Sequence, residues 1–198
     1  MKHEGLNKRA LGFLLGSIFW LSPMIAQSGD ALMIDHGSFM VTFRPDLGIP
    51  ERVEWRLINT DLGKEKRSTS YRFRSDKATP KPRITPDIYT NSGFHRGHMC
   101  PAADRSASKS AMRSTFIMSN ICPMTPSVNT GSWKYTEIVE RALAGRRLSC
   151  LITACPLFFP QDTAWLGRHQ VAIPHAFMKV ITIDGDPFYY KLFIIENK

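Results

Sequence analysis

The chain reads as an α+β protein, a mainly antiparallel sheet with helices packed on it. Three observations carry that reading. Short apolar, β-branched or aromatic runs recur along the 198 residues, bounded by Pro and Gly. The final two runs flank Asp184-Gly185-Asp186, a tight-turn signal that makes them antiparallel neighbours. One firm helical period lies among them, over residues 131–144.

Taken in order, the first segment has the pattern of an export signal. Lys2, Lys8 and Arg9 form a positive start, residues 10–20 are almost wholly apolar, and Pro23 breaks the run before Ala26. The apolar stretch is shorter than the ~20 residues of a comfortable membrane span. Cleavage is therefore expected after Ala26, with Ala31 as the second site, and no stable membrane association is expected afterwards. Residues 27–198 are expected to form one domain, secreted or periplasmic, with enough chain for a real core.

Residues 38–44 (SFMVTFR) and 53–59 (VEWRLIN) read as strands on either side of a turn at 45–50. Residues 61–86 are polar and rich in Lys and Arg, the pattern of a long surface loop that carries binding residues. Residues 114–119, 148–153, 177–183 and 188–195 are further strand candidates. The helix is expected to bury Ile138, Val139, Ala142 and Leu143 and to stop at Gly145. Extended back to Asn129, it would carry Asn129, Trp133, Glu137 and Arg141 within about 120° of arc.

Composition narrows the function. At 43% hydrophobic and 22% charged residues the chain is ordinary globular material, which argues against wholesale disorder. Its formal charge of +9 suits a polyanionic partner, nucleic acid or an acidic membrane. Loss of residues 1–26 removes three cations and Glu4, leaving the remainder near +7. Cys100, Cys122, Cys150 and Cys155 form an even set in an exported chain, so disulfides are expected. Of the three pairings, Cys100–Cys122 is favoured, because each cysteine follows a candidate site residue, His98 or Asn120, by two positions.

The densest chemistry lies in residues 94–104, FHRGHMCPAAD. Arg96 offers a guanidinium for phosphate, Gly97 leaves room for close approach, and His98 is a titratable base. Phosphodiester cleavage needs a proton taken from water, charge stabilised on the phosphate and a neutralised leaving oxygen. An imidazole suits the first: its ordinary value near ~6.5 leaves it largely neutral, and nearby cations would push it lower still. Arg96 and Arg141 suit the second. A divalent ion would serve the third, with Asn129 offering a hard carbonyl oxygen and Glu137 a place for metal-bound water.

Three motifs in order resemble the DNA/RNA non-specific endonuclease family, with its ββα-metal (His-Me finger) active site. They are RGHMCPAAD at 96–104, TFIMSNICP at 115–123, and N-x-x-x-W-x-x-x-E-x-x-x-R from Asn129 to Arg141. The likeness runs from about residue 37 to 194 and includes IPHAFMKVI at 173–181. It implies a strand–loop–strand–helix site and internal hydrolysis of DNA and RNA with Mg²⁺ or Mn²⁺, leaving 5′-phosphate ends. It implies His98 as general base, Asn129 as the direct metal ligand and Glu137 beside metal-bound water. Arg96 and Arg141 would engage phosphate, and Asn120 would organise the site. An arginine of the upstream loop would also reach substrate; Arg72 is preferred to Arg74. Three positions depart from the family's pattern. His95 replaces an Asp that would orient Arg96, Met124 replaces a glutamine, and Cys155 replaces a glycine, which suggests a disulfide.

Two other readings remain at this level. His95, His98, Cys100 and Cys122 have the softness of zinc ligands, although no CxxC or HExxH is present. A secreted nucleic-acid-binding protein without catalysis would use the same charge, with Trp133 and Tyr135 as stacking surfaces.

Overall fold

A computed structural model describes residues 31–159, 163–168 and 170–198. The export-signal reading over residues 1–26 lies outside the described residues. The described chain opens with three strands, β1 (Leu32–Asp35), β2 (Met40–Arg44) and β3 (Ile49–Leu57). A long, mostly irregular passage leads to β4 (His95–His98), α1 (Lys109–Ser114), β5 (Ile121–Met124), α2 (Pro126–Thr130) and α3 (Ser132–Gly145). Strand β6 (Cys150–Leu157), a small ribbon of β7 (Ala164–Leu166) and β8 (Val171–Ile173), then β9 (Ala176–Ile183) and β10 (Asp186–Glu196) complete it.

The main sheet has the order β1-β2-β3-β6-β9-β10, with every pair antiparallel. This bears out the expected α+β class. Alternation puts Val53, Trp55, Ile152, Ala154, Phe177 and Ile181 inside. Helix α3 covers that face, with the Trp133 ring tilted against Phe177 at 5.5 Å between centroids. The hairpin at Asp184-Gly185 forms as expected, with Gly185 at φ 83°, where a glycine meets no steric penalty.

Several boundaries differ from the pattern-based reading. Strand β3 starts at Ile49, inside the expected turn, because Pro50 sits at a register shift opposite Phe43, where a missing N–H is tolerated. Residues 114–119 form no strand. They run from the end of α1 through one isolated bridge, Ile117 to Arg74, into a 3-10 turn at Met118–Asn120. Phe116, Ile117, Met118 and Asn120 are all buried there, so the segment has no solvent face to alternate against. The paired strand is the next one, β5.

The buried stripe of α3 is also different: Trp133, Thr136, Glu140 and Ala144, with Ile138 exposed. Glu140 can occupy the inner face because Lys179 of β9 meets it at 3.0 and 3.2 Å, both side chains fully buried. The Lys179 ammonium also lies 4.4 Å from the Trp133 ring centroid. Asn129 belongs to α2, separated from α3 by Gly131 at φ −109°, ψ −101°, so the face assumed for one continuous helix is built from two.

All four cysteines are free and buried, which corrects the expected disulfides. Gly97, not Cys100, is the residue opposite Cys122, and Cys100 lies beyond the end of β4. Burial pushes the Cys155 thiol up to about 12 and Cys150 to about 11. The four behave as small apolar side chains.

Candidate active site

Strands β4 and β5 form a short antiparallel ribbon with His95 opposite Met124, Arg96 opposite Pro123, Gly97 opposite Cys122 and His98 opposite Ile121. Strand alternation turns Arg96 and His98 to one face and His95 and Gly97 to the other. A Cβ on Gly97 would lie 2.3 Å from Met124 Sδ. The room this glycine provides is therefore filled by the partner strand's side chain, and Met124, in the family's glutamine position, is packing.

His98 is 8% exposed, with its ring packed 4.8 Å from Phe116 and 5.3 Å from Phe73. Its Nε2 is buried without a hydrogen-bond partner. Burial first, and the Arg67 charge second, push the imidazole down to about 3, so the ring is neutral at physiological pH. Its main-chain carbonyl accepts from Trp133 Nε1 at 2.9 Å, which ties β4 to α3.

Arg96 lies on the same side, its guanidinium 5.6 Å from Phe73 and 5.8 Å from Tyr89. Nε and Nη2 donate to the Pro86 carbonyl at 3.0 and 2.5 Å, and Nη2 also reaches Thr90 Oγ1 at 3.3 Å. A backbone oxygen thus does the orienting for which a carboxylate at position 95 was expected. Arg96 lines an open cleft of about 600 Å³ together with Arg67, Arg72, Tyr71, Phe73 and Pro86. Arg72 stands in this cleft. Arg74 is occupied elsewhere, donating to the Arg113 and Phe116 carbonyls. Arg67, which stacks 5.4 Å over Phe116, is a cleft cation that the sequence reading missed. Nothing in the Lys- and Arg-rich run at 64–74 distinguishes it.

Asn120 is fully buried, with its amide committed to main chain. Oδ1 accepts from Cys100 N at 2.9 Å, and Nδ2 donates to the Cys100 and Thr115 carbonyls. Such a side chain braces the segment after His98; both Nδ2 hydrogens are spent and the side chain is fully buried, out of reach of substrate. Asn129 Nδ2 meets His95 Nδ1 at 3.1 Å, a second tie between β4 and the helices. Arg141 Nη1 lies 3.1 Å from Asp104 Oδ1 and 3.6 Å from Glu137. Burial raises the Glu137 carboxyl above its ordinary value, against the opposing charges of Lys179 and Arg141. Asp104, fully buried, also accepts from Trp55 Nε1 at 3.0 Å. It is a second missed residue, although it closes the 94–104 motif.

The donor chemistry suits a hard divalent ion. Asn129 supplies an amide and Glu137 a carboxylate, the oxygen types that Mg²⁺ takes in small number beside water and phosphate. The zinc alternative is not assembled: among the described residues no three His, Cys, Asp or Glu side chains are grouped to hold a metal. Burial also holds the Cys100 and Cys122 thiols protonated.

Two paired strands that present an imidazole, followed by helices pinned to them through Trp133 and Asn129, constitute a ββα motif, with β5 packed against β3 of the main antiparallel sheet. The chain belongs to the DNA/RNA non-specific endonuclease family, whose profile matches residues 21–198. It is 29% identical over 179 residues to a nuclease of Nostoc sp., covering 88% of this chain and 62% of that protein. It is 33% identical to the mitochondrial nuclease EXOG of Danio rerio, covering 70% and 43%. With human mitochondrial endonuclease G the identity is 31%, over 63% and 46%. The crystal structure of an EndoG/EndoGI complex shares the fold, with a TM-score of 0.76 at 21% identity over 87% of this chain and 76% of that one. The chain spans between 43% and 62% of the length of those three curated relatives.

Proposed function

We propose that this protein is an exported, metal-assisted endonuclease that hydrolyses internal phosphodiester bonds of DNA and RNA, leaving 5′-phosphate ends. The observation that carries the reading is the neutral, buried His98 ring. Its Nε2 has no protein partner, and the cationic cleft lies alongside. In this reading Nε2 accepts the proton of the attacking water. Arg67, Arg72 and Arg96 line the cleft that receives the polyanion, and Arg141, held by Asp104, faces the phosphate from α3. Asn129 would hold Mg²⁺ or Mn²⁺ through its carbonyl oxygen, with Glu137 behind its water shell. The ion, when bound, supplies charge neutralisation at the leaving oxygen. Asn120 keeps the His98 segment in place from behind. Export is supported by the residue pattern of 1–26.

The test compares wild type and His98→Ala on plasmid DNA and on RNA, in Mg²⁺ and in EDTA. Wild type should cut both polymers in Mg²⁺ alone, and the variant should be slower by about 10²- to 10⁴-fold, the usual contribution of a general base. Wild-type protein that binds nucleic acid in Mg²⁺ without strand scission would instead make it a binding protein.

A further inference from the structure

We infer that His95 is a positioning residue for the divalent ion: it holds the Asn129 amide by its NH₂ group and so presents the amide's carbonyl oxygen to the cation. The inference rests on the reading of Asn129 as the metal ligand. The observation behind it is the 3.1 Å contact of Asn129 Nδ2 with His95 Nδ1, which joins α2 to β4 across 34 positions. An amide donates from one end and accepts at the other. With Nδ2 donating to Nδ1, Oδ1 is the end left for a hard cation.

The main chain of Asn129 is already fixed by other groups. Thr125 caps α2, with Oγ1 accepting from Val128 N, and Thr125 and Ser127 are tied to Asn197 and Lys198 at the chain's other end. The remaining freedom is in the side-chain torsions, the last of which is broad for asparagine. Among the described residues, His95 is the one side chain that hydrogen-bonds the Asn129 amide. Position 95 is also free for this duty, because Arg96 takes its orientation from Pro86 and Thr90. His95 itself is exposed, so replacing it does not open the core.

Mn²⁺ serves as the probe, titrated alone into the full chain and followed by electron paramagnetic resonance. Wild type, His95→Ala, His95→Asp and Asn129→Ala are compared. His95→Ala should weaken Mn²⁺ binding by about 10-fold, the lower end of the loss seen when a ligand's outer partner is removed. Its thermal midpoint should fall by no more than about 2–4 °C, the loss of one exposed hydrogen bond. His95→Asp, which restores an acceptor for Nδ2, should recover most of the affinity. Wild-type Mn²⁺ affinity in His95→Ala, with Asn129→Ala binding-deficient, would overturn the inference alone. So would a directly coordinated imidazole nitrogen in the pulsed spectrum of wild type, which would make His95 a ligand. Undiminished binding in Asn129→Ala would overturn the metal-ligand reading beneath it, and this inference with it.

Discussion

Gly97 shows what one absent carbon does at the site. Read from the motif alone, it leaves room for close approach. In the fold the space is taken by Met124, whose Sδ would sit 2.3 Å from a new Cβ. Gly97→Ala should therefore destabilise the protein by about 1–3 kcal/mol, the usual cost of overpacking, because neither paired strand can retreat freely. Urea unfolding measures this. A double-mutant cycle with Met124→Ala should show a favourable coupling, since the shortened side chain removes the clash. Additive effects would mean the two side chains are not in conflict. The same pair explains why a methionine stands where the family has glutamine: position 124 is fully buried against a glycine.

At the scale of the element, α3 is held by charge as much as by apolar surface. Its period is legible in the chain, and its limits of Ser132 and Gly145 fall within a residue of those expected. Its buried face is not legible, because Glu140 reads as a solvent residue until Lys179 is brought to it from β9. Taking one partner away leaves an uncompensated buried charge, at a typical cost of 3–5 kcal/mol. Lys179→Met should lose stability by about that amount in urea unfolding. The pair Lys179→Met with Glu140→Leu should recover most of it, since a well-packed apolar pair is often neutral. A single variant as stable as wild type would show that the charges are not confined as described. Asn129 fails to be legible for a related reason: the break at Gly131 depends on how α2 is anchored to the C-terminal residues.

For the molecule as a whole, two buried groups, His98 and Asp76, contribute stability that acid removes. His98 is pushed down to about 3 in the fold, against an ordinary value near ~6.5. The unfolded chain therefore binds its proton first. The stability linked to His98 is complete above ~6.5 and declines as pH falls toward 3. Asp76 works in a lower window. Burial pushes its carboxyl up, but hydrogen bonds from His36, Ser119 and the Ala78 amide outweigh this and bring it down to about 2. Its contribution is present above ~3.8 and is lost as pH falls through 2. Thermal midpoints measured from pH 7 to 4.5 should fall in wild type and fall less in His98→Gln. With the series extended to pH 2, Asp76→Asn should alter the slope below about pH 4. A His98→Gln profile parallel to wild type between pH 6.5 and 4.5 would show that the ring is not held neutral.

Strand-rich class, a single strong helix and the ordered polar motifs are all legible along the chain, because periodicity and spacing are properties of near neighbours. Tertiary structure decides how each polar group is spent. Arg96 is committed to a carbonyl 10 positions away, Asn120 to main chain 20 away, and Glu140 to a lysine 39 away. It also leaves the four cysteines free and buried and makes Arg67 the cation acting on His98. Hydrogen bonds and desolvation act through space, so polar residues that look alike in the linear text become a neutral buried ring, a brace or a buried ion only once the sheet has brought their partners to them.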